Sequence, residues 1–235
     1  KPQQQLGRIL NKNAYTAMED CDVIAWIIDC TQPFGRGDTF ILERIKKLHK
    51  PTLLLLNKVD MLTKDELMKA CLAWQEQYNF DELIPISALE KDNLDELLRV
   101  FKAYLPEGLA MFPEEMKSDH DETFQMCEIV REKILKRTNQ EIPHSIAVVL
   151  ESRKEDENHM DLGMLVIVDK PSQKGILIGK QAKMIRSIRL ASQKELSEKF
   201  HKKVHLDLYV RVEKNWRNQH EKIKEFGLDE LDDND

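Results

Sequence analysis

Two near-continuous apolar runs, residues 22–30 (DVIAWIIDC) and 51–59 (PTLLLLNKV), limit the possible folds more than any other feature of the chain. A strand with one face in water alternates apolar and polar residues. A run without polar interruption belongs instead to a strand buried on both faces, as in a parallel sheet flanked by helices. The shorter run 83–86 (LIPI) repeats the pattern, and stretches with helical character lie between and after the runs at 39–48, 64–78 and 93–104. Strand and helix therefore alternate with a period near thirty residues, which predicts an α/β unit with a mostly parallel sheet over residues 1–112.

The pattern changes after Pro106, Gly108 and Pro113, where an acidic stretch, 113–122, reads as a linker or docking loop. A helix is predicted over 122–137, with Phe124, Cys127, Ile129, Val130, Ile134 and Leu135 on its buried side. Strands follow at 144–151 and 162–169, joined by a charged hairpin at 152–161. A helical region spans 175–199, an alternating strand 204–212 and a last helix 216–226. The order α-β-β-α-α-β is that of an α+β type II KH domain, and it assigns residues 113–235 to a linker plus an RNA-binding module. The end of the chain (LDELDDND) is too densely acidic to bury and reads as a solvated tail.

The formal net charge of −6 hides an uneven distribution along the chain. Residues 170–224 hold 15 basic and 5 acidic side chains, whereas 225–235 hold 6 acidic and no basic ones. A basic block of that density points to a polyanion such as RNA, despite the acidic balance of the whole. The four cysteines, Cys21, Cys30, Cys71 and Cys127, are widely spaced, with no CxxC pair and no histidine at ligand spacing. They read as reduced, buried thiols of a cytoplasmic protein rather than as zinc ligands. Asp119-His120-Asp121 is an isolated polar triplet and gives no metal site, and no run of residues has the length and apolarity to cross a bilayer.

At the carboxyl end of the second apolar run stands Asn57-Lys58-Val59-Asp60, on the edge where open α/β sheets bind ligands. Ser87-Ala88-Leu89 follows the next strand. An ionised Asp60 is acceptor-only and so matches the ring N–H and exocyclic amine of guanine, while adenine would present it with an acceptor. Asn57 suits a side chain that ties neighbouring loops together, and the aliphatic stem of Lys58 can cover one face of the base. Backbone N–H groups around Ala88 and Leu89 can donate to the guanine O6. The alternative for Asp60 is an N-cap of the helix beginning near Thr63. Asp38 reads as another helix N-cap.

A second candidate site is Ile178-Gly179-Lys180-Gln181-Ala182, placed between two helical stretches as a G-x-x-G loop would be, with alanine where the last glycine is usual. Lys180 and Lys183 are available to phosphates, with Lys174 and Arg186 extending the basic surface and Ile176, Ile178 and Ile185 as an apolar floor. Alanine at position 182 either has a negative φ with its methyl turned away from the phosphate, so that the loop still clamps and glycine there would loosen the helix start, or blunts the clamp, so that glycine there would tighten RNA binding; the first is expected because Lys180 and the flanking basic residues are in place.

Together with Gly35-Arg36-Gly37-Asp38, Leu105-Pro106-Glu107-Gly108, Glu141-Ile142-Pro143-His144, Ser172-Gln173-Lys174-Gly175-Ile176 and Trp216-Arg217-Asn218, these motifs resemble the Era family of bacterial ribosome-assembly GTPases along essentially the whole chain. The resemblance implies a GTP- or GDP-binding factor that binds small-subunit ribosomal RNA, acts on the small ribosomal subunit as a monomer, and also touches the cytoplasmic membrane peripherally. Nothing in residues 1–235 matches G-x-x-x-x-G-K-S/T or D-x-x-G. The chain thus carries no catalytic residue and no Mg²⁺ ligand, and alone is expected not to hydrolyse GTP. Residues 1–3 resemble those just after the family's D-x-x-G, and 6–18 its switch II helix. Roughly sixty preceding residues are expected to hold the phosphate and Mg²⁺ site. The alternative is an RNA-binding or RNA-chaperone module with a vestigial GTPase half.

Overall fold

The computed structural model describes residues 4–109, 113, 121–138 and 146–228. The Glu141–His144 motif, most of the acidic stretch after Pro113 and the tail from Asp229 lie outside them. The chain divides into two compact units, one of residues 12–111 and one of residues 112–235 together with 1–11. The expected division placed residues 1–11 with the α/β unit; their apolar side chains Leu6 and Ile9 pack instead in a core of the other unit.

After the helix α1 (Gln5–Asp20), the first unit alternates β1 (Ile24–Asp29), α2 (Arg36–Leu48), β2 (Thr52–Asn57), α3 (Lys64–Gln75), β3 (Glu82–Ile86) and α4 (Leu94–Tyr104). The strands form an all-parallel sheet in the order β1-β2-β3. β2 is the strand the leucine run demands. Leu54 and Leu56 join Ile24, Trp26, Ile28, Leu42, Ile45 and Trp74 on one face, while Leu53 and Leu55 join Ile84, Ile86 and Val100 on the other. All four leucines are at most 3% exposed, and full burial of such a side chain contributes about 2 kcal/mol. Trp74 meets Trp26 edge-on at 5.3 Å and Phe34 at 5.0 Å between ring centroids. β1 departs from expectation. It alternates, leaving Ala25 and Ile27 exposed, Ile27 by 58%. An apolar run reports residues that prefer burial, and among the described residues nothing covers this face.

The second unit contains α5 (Glu122–Arg137), β4 (Ile146–Glu155), β5 (His159–Val168), α6 (Pro171–Ile178), α7 (Lys183–Phe200), β6 (Lys203–Val212) and α8 (His220–Glu225). Its sheet has the order β4-β5-β6, antiparallel then parallel. The helices α5, α6 and α7 cover one face through Met126, Val130, Ile134, Leu177, Ile188 and Leu196. The other face is capped in part by Trp216, Ile223 and Phe226. Asp121 caps α5, its carboxylate accepting from the Phe124 N–H at 2.7 Å. Boundaries differ from the sequence reading, among them the start of α6 at Pro171 rather than 175. The strands β4 and β5 extend through most of the charged segment read as a hairpin, leaving only 156–158 as the turn, and the last helical segment splits into a 3₁₀ turn at Trp216–Asn218 and α8. Among the described residues no helix is long and apolar enough to cross a membrane.

Candidate guanine pocket and nucleic-acid interface

The chain leaves β2 at Asn57 and turns at Lys58, whose φ of 72° lies in the left-handed region, into a 3₁₀ turn at Val59–Met61. This turn ends the strand so that three side chains of the motif point to different duties. Asn57 Oδ1 accepts from the Lys58 N–H at 2.9 Å and from the Ala88 N–H at 3.0 Å, fastening the loop after β3 to the end of β2. Asp60 Oδ1 accepts from the Ser87 hydroxyl at 2.6 Å, leaving Oδ2 available as an acceptor. Ser87, 1% exposed, also accepts from the Glu90 N–H at 3.1 Å. Asp60 does not cap α3, because Thr63 does: its hydroxyl accepts from Glu66 N–H at 3.3 Å, and Glu66 returns a bond to Thr63 N–H at 2.9 Å. Likewise Asp38 is not an N-cap. It lies three residues into the turn and accepts from the Gly35 N–H at 2.9 Å.

Asn57, Asp60, Ser87 and Ala88 are therefore held in one constellation. Leu89 is 80% exposed beside it. The Ala88 N–H, anticipated as a donor to a base oxygen, is already donated to Asn57, so a base oxygen there has to share or replace that bond. Asp29, at the end of β1, was not picked out from the sequence. Its carboxylate accepts from the Thr31 N–H and hydroxyl at 3.0 and 2.7 Å and pairs with Lys58 Nζ at 2.6 Å. Those bonds, the one from Lys58 foremost, hold its pKa at about 2, below the usual 3.8. A pattern search misses Asp29 because it stands 28 residues before Asn57 and reaches it only by strand pairing, Asp29 opposite Asn57.

In the second unit, α6 opens on Pro171, with Gln173 Oε1 accepting from the Asp169 and Lys170 N–H groups at 3.0 and 2.9 Å. It ends at Gly179, whose φ and ψ of 69° and 174° are closed to other residues. A Cβ there would lie 2.7 Å from the Cβ of Met184. A 3₁₀ turn at Lys180–Ala182 then leads into α7, with Gln181 at φ 53° and Ala182 at φ 57°. The expectation of a negative φ at Ala182 is overturned. The alanine adopts the left-handed conformation that glycine favours, because the chain has to reverse between Gly179 and Lys183.

Lys180, Gln181 and Lys183 are exposed on this turn and Arg186 is exposed on α7, while Lys174 on α6 is half-buried. Lys170, Lys174, Lys180, Lys183, Arg186 and Arg189 have no carboxylate partner among the described residues. Elsewhere in the unit Lys133 pairs with Glu132 and Glu195, Arg153 with Glu122 and Glu155, Lys202 with Glu155, and Arg217 with Asp169. Free cations gathered on one loop and helix attract a polyanion. Beside them runs a shallow groove of about 220 Å³, lined by Ala182, Ile185, Arg186 and Arg189 of the loop and α7 and by Asp207, Leu208 and Tyr209 of β6. Ile185 thus sits where an apolar floor was expected, but Ile176, 38% exposed, and the half-buried Ile178 lie outside the groove lining. Leu208 and Tyr209 were missed by the sequence reading; their signal was the strand alternation of VHLDLYVRV, which shows Tyr209 outward but not what it borders.

Comparison with known proteins finds relatives of both units. A family model for the KH domain matches residues 141–217, and one for the elongation factor Tu GTP binding domain matches residues 10–107. The structure of a point variant of Aquifex aeolicus Era bound to GDP·AlF4⁻ superposes with a TM-score of 0.90 at 33% identity, covering 97% of this chain and 78% of that one. The chain belongs to the Era family. A second Era structure, in complex with MgGDPNP and nucleotides 1506–1542 of 16S ribosomal RNA, agrees with a TM-score of 0.91 at the same identity and coverage. Membership in the Era family accounts for the order of the two units, a GTPase-type α/β unit followed by a KH domain with a mixed sheet.

Proposed function

We propose that the protein is a cytoplasmic GTP-binding ribosome-assembly factor that grips small-subunit ribosomal RNA with its KH unit and hydrolyses GTP when its polypeptide includes a phosphate-binding loop. The observation that carries this reading is the pairing, in one chain, of the Asp60–Ser87 and Asn57–Ala88 constellation with the unpaired basic loop 179–183. Era relatives hold guanine nucleotides and a 16S RNA segment, which supports the assignment of one ligand to each unit.

The residues described here can recognise a base and position it. Asp60 Oδ2 accepts from the guanine N–H groups, Asn57 braces the loop bearing Ala88, and Lys58 covers the ring. The base-side residues are given no part in holding Mg²⁺, which beside a nucleotide takes its ligands from the phosphates and from a hydroxyl or carboxylate next to them. Phosphoryl transfer needs a phosphate-binding loop, and residues 1–235 contain no G-x-x-x-x-G-K-S/T or D-x-x-G sequence to supply one. Competition of fluorescent GDP by GTP but not by ATP, together with retention of a small-subunit 3′-terminal RNA fragment, tests the reading in the full-length protein. Equal competition by ATP removes the nucleotide half, and RNA binding unaltered by deleting 170–189 removes the other.

A further inference from the structure

We infer that Asp29 is a positioning residue for guanine recognition, acting through Lys58; the inference rests on reading Asn57, Lys58, Asp60 and Ser87 as the guanine pocket. Asp29 stands in register with Asn57 across the β1–β2 pair, so its carboxylate borders the start of the motif. Its two oxygens have separate tasks. Oδ1 is fastened by the N–H and hydroxyl of Thr31, and Oδ2 receives Lys58 Nζ at 2.6 Å. The local turn thus aims one carboxylate oxygen at the lysine before the lysine arrives.

The side chain of Lys58 is half exposed, and a free lysine there would sample many rotamers. Its useful part for a base is the apolar four-carbon stem, and a stem covers a ring only if it stays in one place. The left-handed backbone at Lys58 sets where the stem begins, and Asp29 sets where it ends. A surface ion pair is ordinarily worth little, but here the carboxylate is preoriented by Thr31 and remains ionised throughout the neutral range. With its orientation already fixed, the pair converts a small electrostatic gain into loss of freedom in the bound lysine, which speeds no chemistry and slows release of the base.

The test is the dissociation rate of fluorescent GDP from the full-length protein. Asp29→Asn, which keeps the shape and the acceptor for Thr31, is expected to release GDP about three- to fivefold faster. The effect is expected to fall below about 1.5-fold in a Lys58→Met background, where an apolar stem needs no anchor. Thr31→Val, which leaves both charges in place, is the milder second variant and is expected to give about a twofold acceleration, likewise abolished by Lys58→Met. A merely structural role for Asp29 predicts the same acceleration with and without Lys58, and that result overturns the inference, as does an unchanged rate in Asp29→Asn. Failure of the unsubstituted protein to prefer guanine nucleotides overturns the pocket reading itself, and the two failures are distinguished by that control.

Discussion

Replacing Ala182 by glycine is expected to stabilise the second unit rather than loosen it. Ala182 sits at φ 57°, ψ 22° directly before α7, and an L-residue in that region carries about 1 to 2 kcal/mol of strain relative to the right-handed one. Glycine removes the strain but enlarges the unfolded ensemble, which costs about 0.4 to 1 kcal/mol. The balance is a gain of about 0.8 kcal/mol, or roughly two to four degrees in the midpoint of a domain this size. Urea unfolding followed at Trp216 isolates the unit, since this fully buried ring is its only tryptophan and a fluorinated indole gives it a separate NMR signal. RNA affinity is expected to stay within about twofold, because the backbone path is the same with either residue. A loss of stability above about 0.5 kcal/mol would refute the strain argument. A rise in affinity beyond about fivefold would show instead that the methyl group keeps the phosphate away from the main chain.

Gly179→Ala is expected to destabilise the same unit by about 2 to 3 kcal/mol, from the disfavoured backbone and the contact with Met184, and a urea midpoint unchanged within error would contradict the loop geometry. Lys180→Glu should weaken binding to single-stranded RNA and reduce the salt slope by about one unit, measured by titration at several salt concentrations; an unchanged slope places Lys180 away from phosphate. In the full-length protein Asp60→Asn is expected to shift preference from guanosine to xanthosine triphosphate, because the amide supplies a donor to the xanthine 2-oxo group, and a competition assay that still favours guanosine assigns Asp60 to bracing Ser87 alone. Asp29 titrates at about 2 in the folded chain against 3.8 otherwise. Its contribution is therefore fully present above about pH 4 and is lost as pH falls toward 2, so acid unfolding in that window should be shallower in Asp29→Asn than in the unsubstituted chain.

The parallel sheet was legible because Leu53, Leu54, Leu55 and Leu56 leave no polar face for water, and only a central strand satisfies all four. The same logic overreached at β1. Ala25 and Ile27 are apolar, but apolarity states a preference and cannot supply the covering element. The sequence reading makes the strands β4 and β5 too short, and the turn between them too long, because Arg153, Lys154 and Glu155 look like loop residues. They are strand residues whose backbone is satisfied by pairing with Leu162, Asp161 and Met160, while their charges lie toward solvent or in ion pairs. Charge in a short segment therefore reported exposure correctly and structure incorrectly.

The candidate sites were legible where chemistry fixes residue type, and Asp60, Asn57 and Ser87 meet as their donors and acceptors require. Asp29 was not, because the relation that matters is register between strands and no spacing in the chain encodes it. Ala182 failed for another reason. Local preference favours a negative φ for alanine, but the position of α7 is set by burial of Ile188, Ser192 and Leu196 against α5 and the sheet, with Leu177 of α6 in the same core. Each large apolar side chain contributes about 2 kcal/mol on burial, which exceeds the roughly 1 to 2 kcal/mol of strain at one left-handed alanine. Packing of the two helices therefore decides the path of the turn between them, and the turn residues conform. The first position of the loop cannot follow that rule, since at Gly179 the obstacle to a side chain is the neighbouring Met184 as well as the torsion. In this loop the backbone thus requires glycine at 179 and accommodates a methyl group at 182.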